Sequence, residues 1–479
     1  MPDLSFPLLS AAIALPCLAA LATLGHDSRA RAAGLTGAAA SALCSVEIFR
    51  EVTLAGGARL AEPWALGLFA ADKLNAIFLA LYSLLAFATL ALAPRRDTDA
   101  KNTAATLVLL ATTLATYSAE HIPLLFLGWT ASALPFILGP FVSPGAWRPR
   151  FGLAASCVAL GAALAMIVHS AKANGAQNPF ALATMLGHNY GGPVAFALLI
   201  AAIVFRKGIF PAHAWIADAA EAGPVLRVCL LINGHLGAFL LARVVIPDFP
   251  LSSHGTFPLL SDLALFTALY VALRAVGESR PRRLLSLLVI SQSACILAGL
   301  ESGTHEGATG ALIHCIVVAV ATTGLFGVLR LLEVRFGDFV HSSQLLGLAA
   351  HTPRLAVFFA VCGLALVGLP GTLGFCSEDL LIHGNLESHP QIGLLLPVAT
   401  AMNAVSLYRL FSRLFLGRQP LPIFGVADAL PRERWVLSSI VLLIVLSGLV
   451  PNAVVAIRAN AALDVVPPIT ETSPPTGAH

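Results

Sequence analysis

Charge is what this sequence has least of. Only 11% of its 479 residues are Asp, Glu, Lys or Arg, against about 25% in ordinary soluble domains. A water-soluble fold needs a charged shell, and this chain has too little to make one. A soluble enzyme and a disordered protein are both excluded on that ground. Net charge is +3, too small and too dispersed to hold a polyanion, so a nucleic-acid binder is excluded as well. Lysine is scarcer still, 4 residues against 24 Arg. C-x-x-C pairs are absent. The eight cysteines (Cys17, Cys44, Cys157, Cys229, Cys295, Cys315, Cys362 and Cys376) lie singly in apolar runs, where they read as small buried residues. No metal site, iron–sulfur cluster or other cofactor is expected. The apolar stretch 4–24 lacks a basic leader, so no signal peptide is invoked.

What the chain has is apolar length. Hydrophobic residues make up 57% and mean hydropathy is +0.84. A helix needs about 20 apolar residues to cross the hydrocarbon layer. That ruler gives fourteen segments: 4–24, 33–49, 66–93, 103–119, 122–140, 151–169, 192–210, 225–246, 256–276, 284–300, 308–332, 355–373, 393–416 and 435–455. The runs are continuous rather than alternating, which excludes a strand barrel. The expected fold is an all-α polytopic membrane protein.

Basic residues in the connecting loops test the count. Loops after odd-numbered segments, with their flanks, hold 19 Lys and Arg, from Arg29 and Arg31 to Arg418, Arg432 and Arg434; loops after even-numbered segments hold 4, namely Arg50, Arg59, Lys172 and Arg243. The positive-inside rule puts the odd loops in the cytoplasm and both termini on the periplasmic side of a bacterial inner membrane. The Pro- and Thr-rich stretch 464–479 reads as an outward, unstructured tail. No soluble domain is present, so any redox centre or large catalytic domain belongs to another chain.

Two segments are interrupted. In the seventh, Arg206 and Lys207 end an apolar run and Gly208 and Pro211 follow. In the twelfth, Gly368, Pro370, Gly371 and Gly374 precede Glu378 and Asp379. Proline removes a backbone donor and clashes with the preceding turn. A break at membrane depth persists only where protein or water satisfies the freed groups. The two breaks lie five segments apart. That spacing predicts an inverted repeat, segments 4–8 against 9–13, and four regions: 1–102, 103–246, 247–416 and 417–479.

These residues carry a resemblance. The stretch 206–243, RKGIFPAHAWIADAAEAGPVLRVCLLINGHLGAFLLAR, resembles the K-x-x-x-x-P-F-H-x-W-L-P-D-A-x-E-A-P-x-P-V signature of the antiporter-like membrane subunits. That family serves respiratory complex I, membrane-bound hydrogenases, Mrp-type cation/proton antiporters and some inorganic-carbon uptake complexes. GLPGTLGFCSEDLL resembles its G-L-P-G-T-x-G-F-x-x-E-F-L; RRLLSLLVISQS (282–293) and LFAADKLNAIF (68–78) are similar to two further motifs. The resemblance spans roughly 66–420.

It implies a row of buried ionisable groups through the membrane midplane, each half-channel using a carboxylate, a lysine and a linking His or Lys. A charge at that depth persists only with a partner or water, and toggling one pair biases the next through a low dielectric. Part of the row is present. Arg206 aligns with the family lysine of the seventh segment. Arginine hardly deprotonates, so a titrating role falls to its neighbour Lys207. The family histidine of the eighth segment aligns near Leu230, with His235 further along. In the eleventh, His314 is kept. Glu378 is kept in the twelfth, with Asp379 beside it. Two charges are replaced, by Thr130 after Trp129 in the fifth segment and by Thr322 in the eleventh. His213 is expected to hydrogen-bond freed backbone, Asp218 and Glu221 to pair with Arg227, and Trp129 and Trp215 to serve packing.

The proton-path candidates are therefore Arg206, Lys207, His213, His235, His314, Glu378 and Asp379. The implied function is a proton-conducting subunit of a larger energy-coupling complex. It would itself be non-catalytic, with a peripheral partner that performs redox chemistry or inorganic-carbon uptake. Thr130 and Thr322 leave open a second reading, a membrane anchor with a degenerate channel. An independent secondary transporter is a third.

Overall fold

In the computed structural model, residues 4–63, 67–139, 147–417 and 425–466 are described. Residue 66 of the third segment, residue 140 of the fifth, Arg418 and the tail from 467 onward lie outside them. Helices α1 (Leu8–Thr23) and α2 (Asp27–Leu54) form an antiparallel pair. Strands β1 (Leu60–Ala61) and β2 (Ala70–Ala71) then make a two-stranded antiparallel hairpin. Helices α3 (Ala76–Leu92), α4 (Ala100–Ser118), α5 (Ile122–Ile137) and α6 (Trp147–Ala173) follow. The third apolar segment was expected to be helical from residue 66; its helix starts at Ala76. Asp72 stops the chain first, because its carboxylate accepts the N–H groups of Leu74 and Asn75 and pairs with Arg243.

Helix α7 (Gly192–Lys207) ends at Gly208, whose φ of 67° is left-handed, and α8 (Ala214–Ala222) resumes after Pro211. The eighth apolar segment, expected as one run over 225–246, forms one 24-residue span, Val225–Asp248, with a turn inside it. Helix α9 (Val225–Asn233) stops at Gly234, His235 has φ 43°, and α10 (Leu236–Leu240) continues through a π-helical turn (Leu241–Val245) into α11 (Ile246–Asp248). An Asn-Gly-His sequence inside an apolar run is the local reason, since Asn-Gly is a turn pair that competes with helix.

Helices α12 (Pro250–Gly277), α13 (Pro281–Glu301) and α14 (His305–Phe336) come next. The hydrophobic windows of α13 and α14 are buried over their full length. A helix apolar on all sides packs at the centre of a bundle, and that is where these two sit. Helix α15 (Pro353–Leu366) ends before Gly368 (φ 71°) and Gly371 (φ 88°), and α16 (Leu373–Ser388) resumes at once. Helix α16 lies against α14 at backbone distance, because glycines meet there: a Cβ at Gly384 would strike the backbone of Gly307, and one at Gly310 would lie 2.8 Å from the Leu381 nitrogen. Small residues allow this approach in membrane bundles. Helix α17 (Leu395–Phe415) follows.

The last apolar segment was expected over 435–455. Helix α18 (Pro431–Leu449) ends earlier, and α19 (Pro451–Val465) turns away from it by 82°. Pro451 forces the corner. Asp464, expected in the tail, is instead in α19 and pairs with Lys73 at 2.8 Å. Among the described residues, seven helices are long and apolar enough to cross a membrane, or eight if the bent pair counts as one span; Leu8–Thr23, Ala76–Leu92, Ile122–Ile137 and Pro353–Leu366 are apolar but shorter.

Candidate functional site: a buried polar row

Helix α13 organises the site. Three consecutive polar residues, Ser291, Gln292 and Ser293, are all fully buried. Successive helical residues point about 100° apart, so the three reach three different helices. Ser293 Oγ accepts from Lys207 Nζ of α7 at 3.1 Å. Gln292 Oε1 lies 2.6 Å from His314 Nε2 of α14. Ser291 Oγ accepts from Asn403 Nδ2 of α17 at 2.8 Å.

Lys207 is 2% exposed and sits at the last turn of α7. Its Nζ is 2.8 Å from His235 Nδ1. His235 reaches it because the left-handed turn after Gly234 swings the imidazole toward α7. The aligned position Leu230 is simply buried among apolar residues. His314 is fully buried, with Nδ1 2.9 Å from Ser377 Oγ on α16. The amide oxygen of Gln292 only accepts, so His314 Nε2 carries a proton in this arrangement. Rotating the Gln292 amide would make Gln292 the donor and move the imidazole proton to Nδ1, on the same heavy-atom frame. Next to Ser377, Glu378 is buried, with Thr400 Oγ1 3.5 Å from its Oε1. Gly368, at the break, faces this carboxylate so closely that a Cβ there would overlap it.

Arg206 closes the other end. It is 6% exposed, its Nη2 donates to Ser132 Oγ at 2.5 Å, and its guanidinium lies 5.0 Å from the Trp129 ring centre. Its Nη1 has no partner among the described residues. Thr130, where the resemblance implies a carboxylate, supplies none, and Trp129 with Ser132 holds the cation. Thr322 joins a neutral network: it donates to Asn233 Oδ1 at 2.9 Å, and Asn233 Nδ2 donates to the Ala319 carbonyl and to Thr323 Oγ1.

Asp379 lies apart from the buried groups, and two other expectations need correcting. Asp379 is exposed and faces His383, 3.6 Å away, because one helical step turns it off the buried face that holds Glu378. His213 does not bond the freed backbone. It stacks on Phe210 and packs edge-on to Tyr270, its Nε2 3.5 Å from Arg274 Nη1, away from the row. Asp218 pairs with Arg148 at 3.0 Å and Arg283 at 2.6 Å, not with Arg227, which binds Asn102. Helix α8 turns Asp218 toward α6 and α13, so neighbours distant in sequence reach it first. Trp215 does pack, its indole N–H donating to the Phe205 carbonyl at 2.7 Å.

Residues that sequence reasoning did not single out are Gln292, Ser293, Ser377 and Asn403. The available signal was a run of polar side chains inside an otherwise apolar span, Ser-Gln-Ser at 291–293.

The family described as NADH:quinone oxidoreductase/Mrp antiporter, TM matches residues 150–403, which is more than half of the chain. NADH-quinone oxidoreductase subunit M of Mycobacterium tuberculosis is 26% identical over 395 residues, covering 78% of this chain and 71% of its own. NADH-quinone oxidoreductase subunit N 2 of Acidobacterium capsulatum is 30% identical over 275 residues, 54% of this chain and 55% of that one. Among solved structures, a chain of respiratory complex I from Thermus thermophilus superposes with TM-score 0.84 at 25% identity, covering 95% of this chain and 99% of that chain. A chain of the Mrp complex from Dietzia gives 0.83 at 20% identity, with 97% and 98% covered, and so shares the fold. Sequence match and fold agree over the segments that build the buried row. The chain is a multi-pass membrane protein and belongs to the NADH:quinone oxidoreductase/Mrp antiporter transmembrane family.

Proposed function

We propose that this chain is the proton-conducting membrane subunit of a larger energy-coupling complex in a bacterial inner membrane. One observation carries the reading: two buried hydrogen-bonded groups, Lys207 with His235 and Ser293, and His314 with Gln292 and Ser377, meet at adjacent residues of α13, with buried Glu378 next to Ser377. Isolated ionisable groups are expensive at membrane depth and are kept for function. Lys207 and Glu378 are the titrating ends, and His235 and His314 the relays. In this reading bridging waters carry the proton from Ser293 to Gln292 and from Ser377 to Glu378. In this reading Arg206 is a fixed positive charge, biasing Lys207 without titrating. His213 and Asp379 play no part in conduction.

In the same reading the fourteen apolar segments are fourteen crossings, with both termini periplasmic and segments 4–8 and 9–13 an inverted pair over 103–246 and 247–416. Left-handed glycines directly after α7 and near the end of α15 support that pairing. The partner in this reading is a peripheral catalytic subunit, which the relatives' names as NADH-quinone oxidoreductase subunits support. Its chemistry, redox or inorganic-carbon uptake, is identified by what copurifies from native membranes: flavin or iron–sulfur subunits, or a soluble zinc protein.

The test is proton movement in sealed vesicles holding the intact complex, with the partner turning over. Wild type should move protons, and Glu378→Gln should stop them while leaving the complex assembled. The anchor reading, favoured by Thr130, Thr322 and the carboxylate-free setting of Arg206, predicts instead that wild type moves none and that Glu378→Gln changes nothing.

A further inference from the structure

A second site lies away from the polar row. An apolar cleft of about 240 Å³ runs between α2, α3, α14 and α18, lined by residues such as Phe49, Ile77, Leu81 and Val320, and it reaches Leu373 and Gly374 at the start of α16. Phe49 also lines a neighbouring cavity of about 250 Å³, which contains Lys73, Arg458 and Asn460. The two spaces lie side by side with Phe49 bordering both, one apolar along its length and the other lined by Lys73 and Arg458.

The cation there is unusual. Arg458 is fully buried on α19. Its Nη1 and Nη2 donate to the carbonyls of Leu74 and Lys73 at 3.2 and 2.5 Å, and its Nε has no partner among the described residues. Lys73 is neutralised by Asp464; among the described residues no carboxylate pairs with Arg458. Arg458 also lies 5.8 Å from the Phe78 ring centre, and its Nε is left for one further acceptor.

We propose that this paired space binds one anionic glycerophospholipid, its phosphate at Arg458 and one acyl chain in the cleft beside the α15–α16 break. The amphiphilic shape decides the occupant. An acyl chain gains little by leaving bilayer for an equally apolar cleft, so selection must come from the headgroup, where Arg458 supplies charge at low dielectric. A soluble anion would satisfy Arg458 but leave the cleft unused. The 82° corner at Pro451 lays α19 against α14, with Arg458 among the residues lining the cavity beside the ends of α2 and α3. The chain of the bound lipid lies against Leu373 and Gly374, three residues before Ser377, and so braces the second break.

The test uses the full chain with its native partners, stripped of lipid in detergent and returned to nanodiscs of phosphatidylglycerol mixed with phosphatidylcholine. Lipid retained on re-extraction is counted by native mass spectrometry. Wild type should retain one phosphatidylglycerol in preference to phosphatidylcholine. Arg458→Gln should lower that preference at least several-fold. Leu81→Trp, which fills the cleft and leaves Arg458 alone, should lower retention of both lipids while the melting temperature is kept. Equal retention of both lipids by wild type, or a Leu81→Trp protein that keeps its phosphatidylglycerol, overturns the proposal. No proton measurement enters, so this result stands apart from the conduction reading.

Discussion

Lys207 differs from its neighbour Arg206 in one property that matters, the ability to give up a proton. Both are buried at the end of α7, but Lys207 contacts an imidazole and a serine hydroxyl, whereas Arg206 is held by Ser132 and an indole face. Lys207→Arg keeps the charge and removes the titration. It should cut proton movement by roughly tenfold or more, the scale on which a positioned proton-transfer group acts, with the complex still assembled. An unchanged rate in sealed vesicles would assign conduction elsewhere. His314 makes the complementary case. Its removal leaves the Gln292 amide without its partner, while Ser377 keeps its bond to the Gly374 carbonyl. His314→Ala should therefore cost about 1–3 kcal/mol for the polar group stranded, read as a lowered melting temperature together with lost conduction.

At the scale of the element, the breaks are set by single glycines. Gly208 sits at φ 67°, and a Cβ there would come within 2.6 Å of Ile216 Cδ1. Gly208→Ala should destabilise by about 1–2 kcal/mol from the left-handed backbone alone, with more from the clash. Gly368 has a different consequence. A side chain at that position displaces the Glu378 carboxylate rather than a packed aliphatic group. Gly368→Ala should thus impair proton movement more than its drop in melting temperature explains, and the ratio of the two losses for Gly208→Ala and Gly368→Ala checks this. Along α14 and α16 the glycines act by closeness. Gly384→Ala should cost about 1–3 kcal/mol, the usual range for overpacking, because backbone and not a movable side chain stands in the way.

Across the whole molecule, ion pairs fasten one end of the bundle. Glu333 near the end of α14 accepts both Arg282 nitrogens at 2.6 Å and Arg330 at 2.9 Å, while Arg330 also grips Asp97 in the loop before α4. Three regions far apart in sequence are joined through Glu333 and Arg330. Removing Glu333 strands Arg282 while Arg330 keeps Asp97, and the loss of one partner of a buried pair costs about 3–5 kcal/mol. Glu333→Ala should lower the melting temperature of the assembled chain more than any single exposed pair does, for example Arg50–Glu47. The same end carries the basic loops, so cysteines introduced there should react with a membrane-impermeant thiol reagent only in inside-out vesicles, and one at Gly56 only in right-side-out vesicles.

The sequence by itself determined the class and the punctuation. Scarce charge and long apolar runs leave a membrane bundle as the outcome, since every backbone group must be satisfied within helices. Glycine and proline mark the breaks after Lys207 and Leu366 because their backbone limits are local. Lys207, His314 and Glu378 were legible for a related reason: a titratable residue inside an apolar run is conspicuous in one dimension. Tertiary structure alone decided which of them meet. Ser291, Gln292 and Ser293 look alike in sequence, and only the packing of α13 between α7, α14 and α17 sends each to a different partner. The exposed Asp379, the buried Glu378, the pairing of Asp218 with Arg148 and Arg283, and the corner that brings Arg458 to Lys73 all depend on contacts between residues far apart in the chain. A periodicity or a motif carries no record of such contacts, because they are set by how helices dock and not by what any helix is.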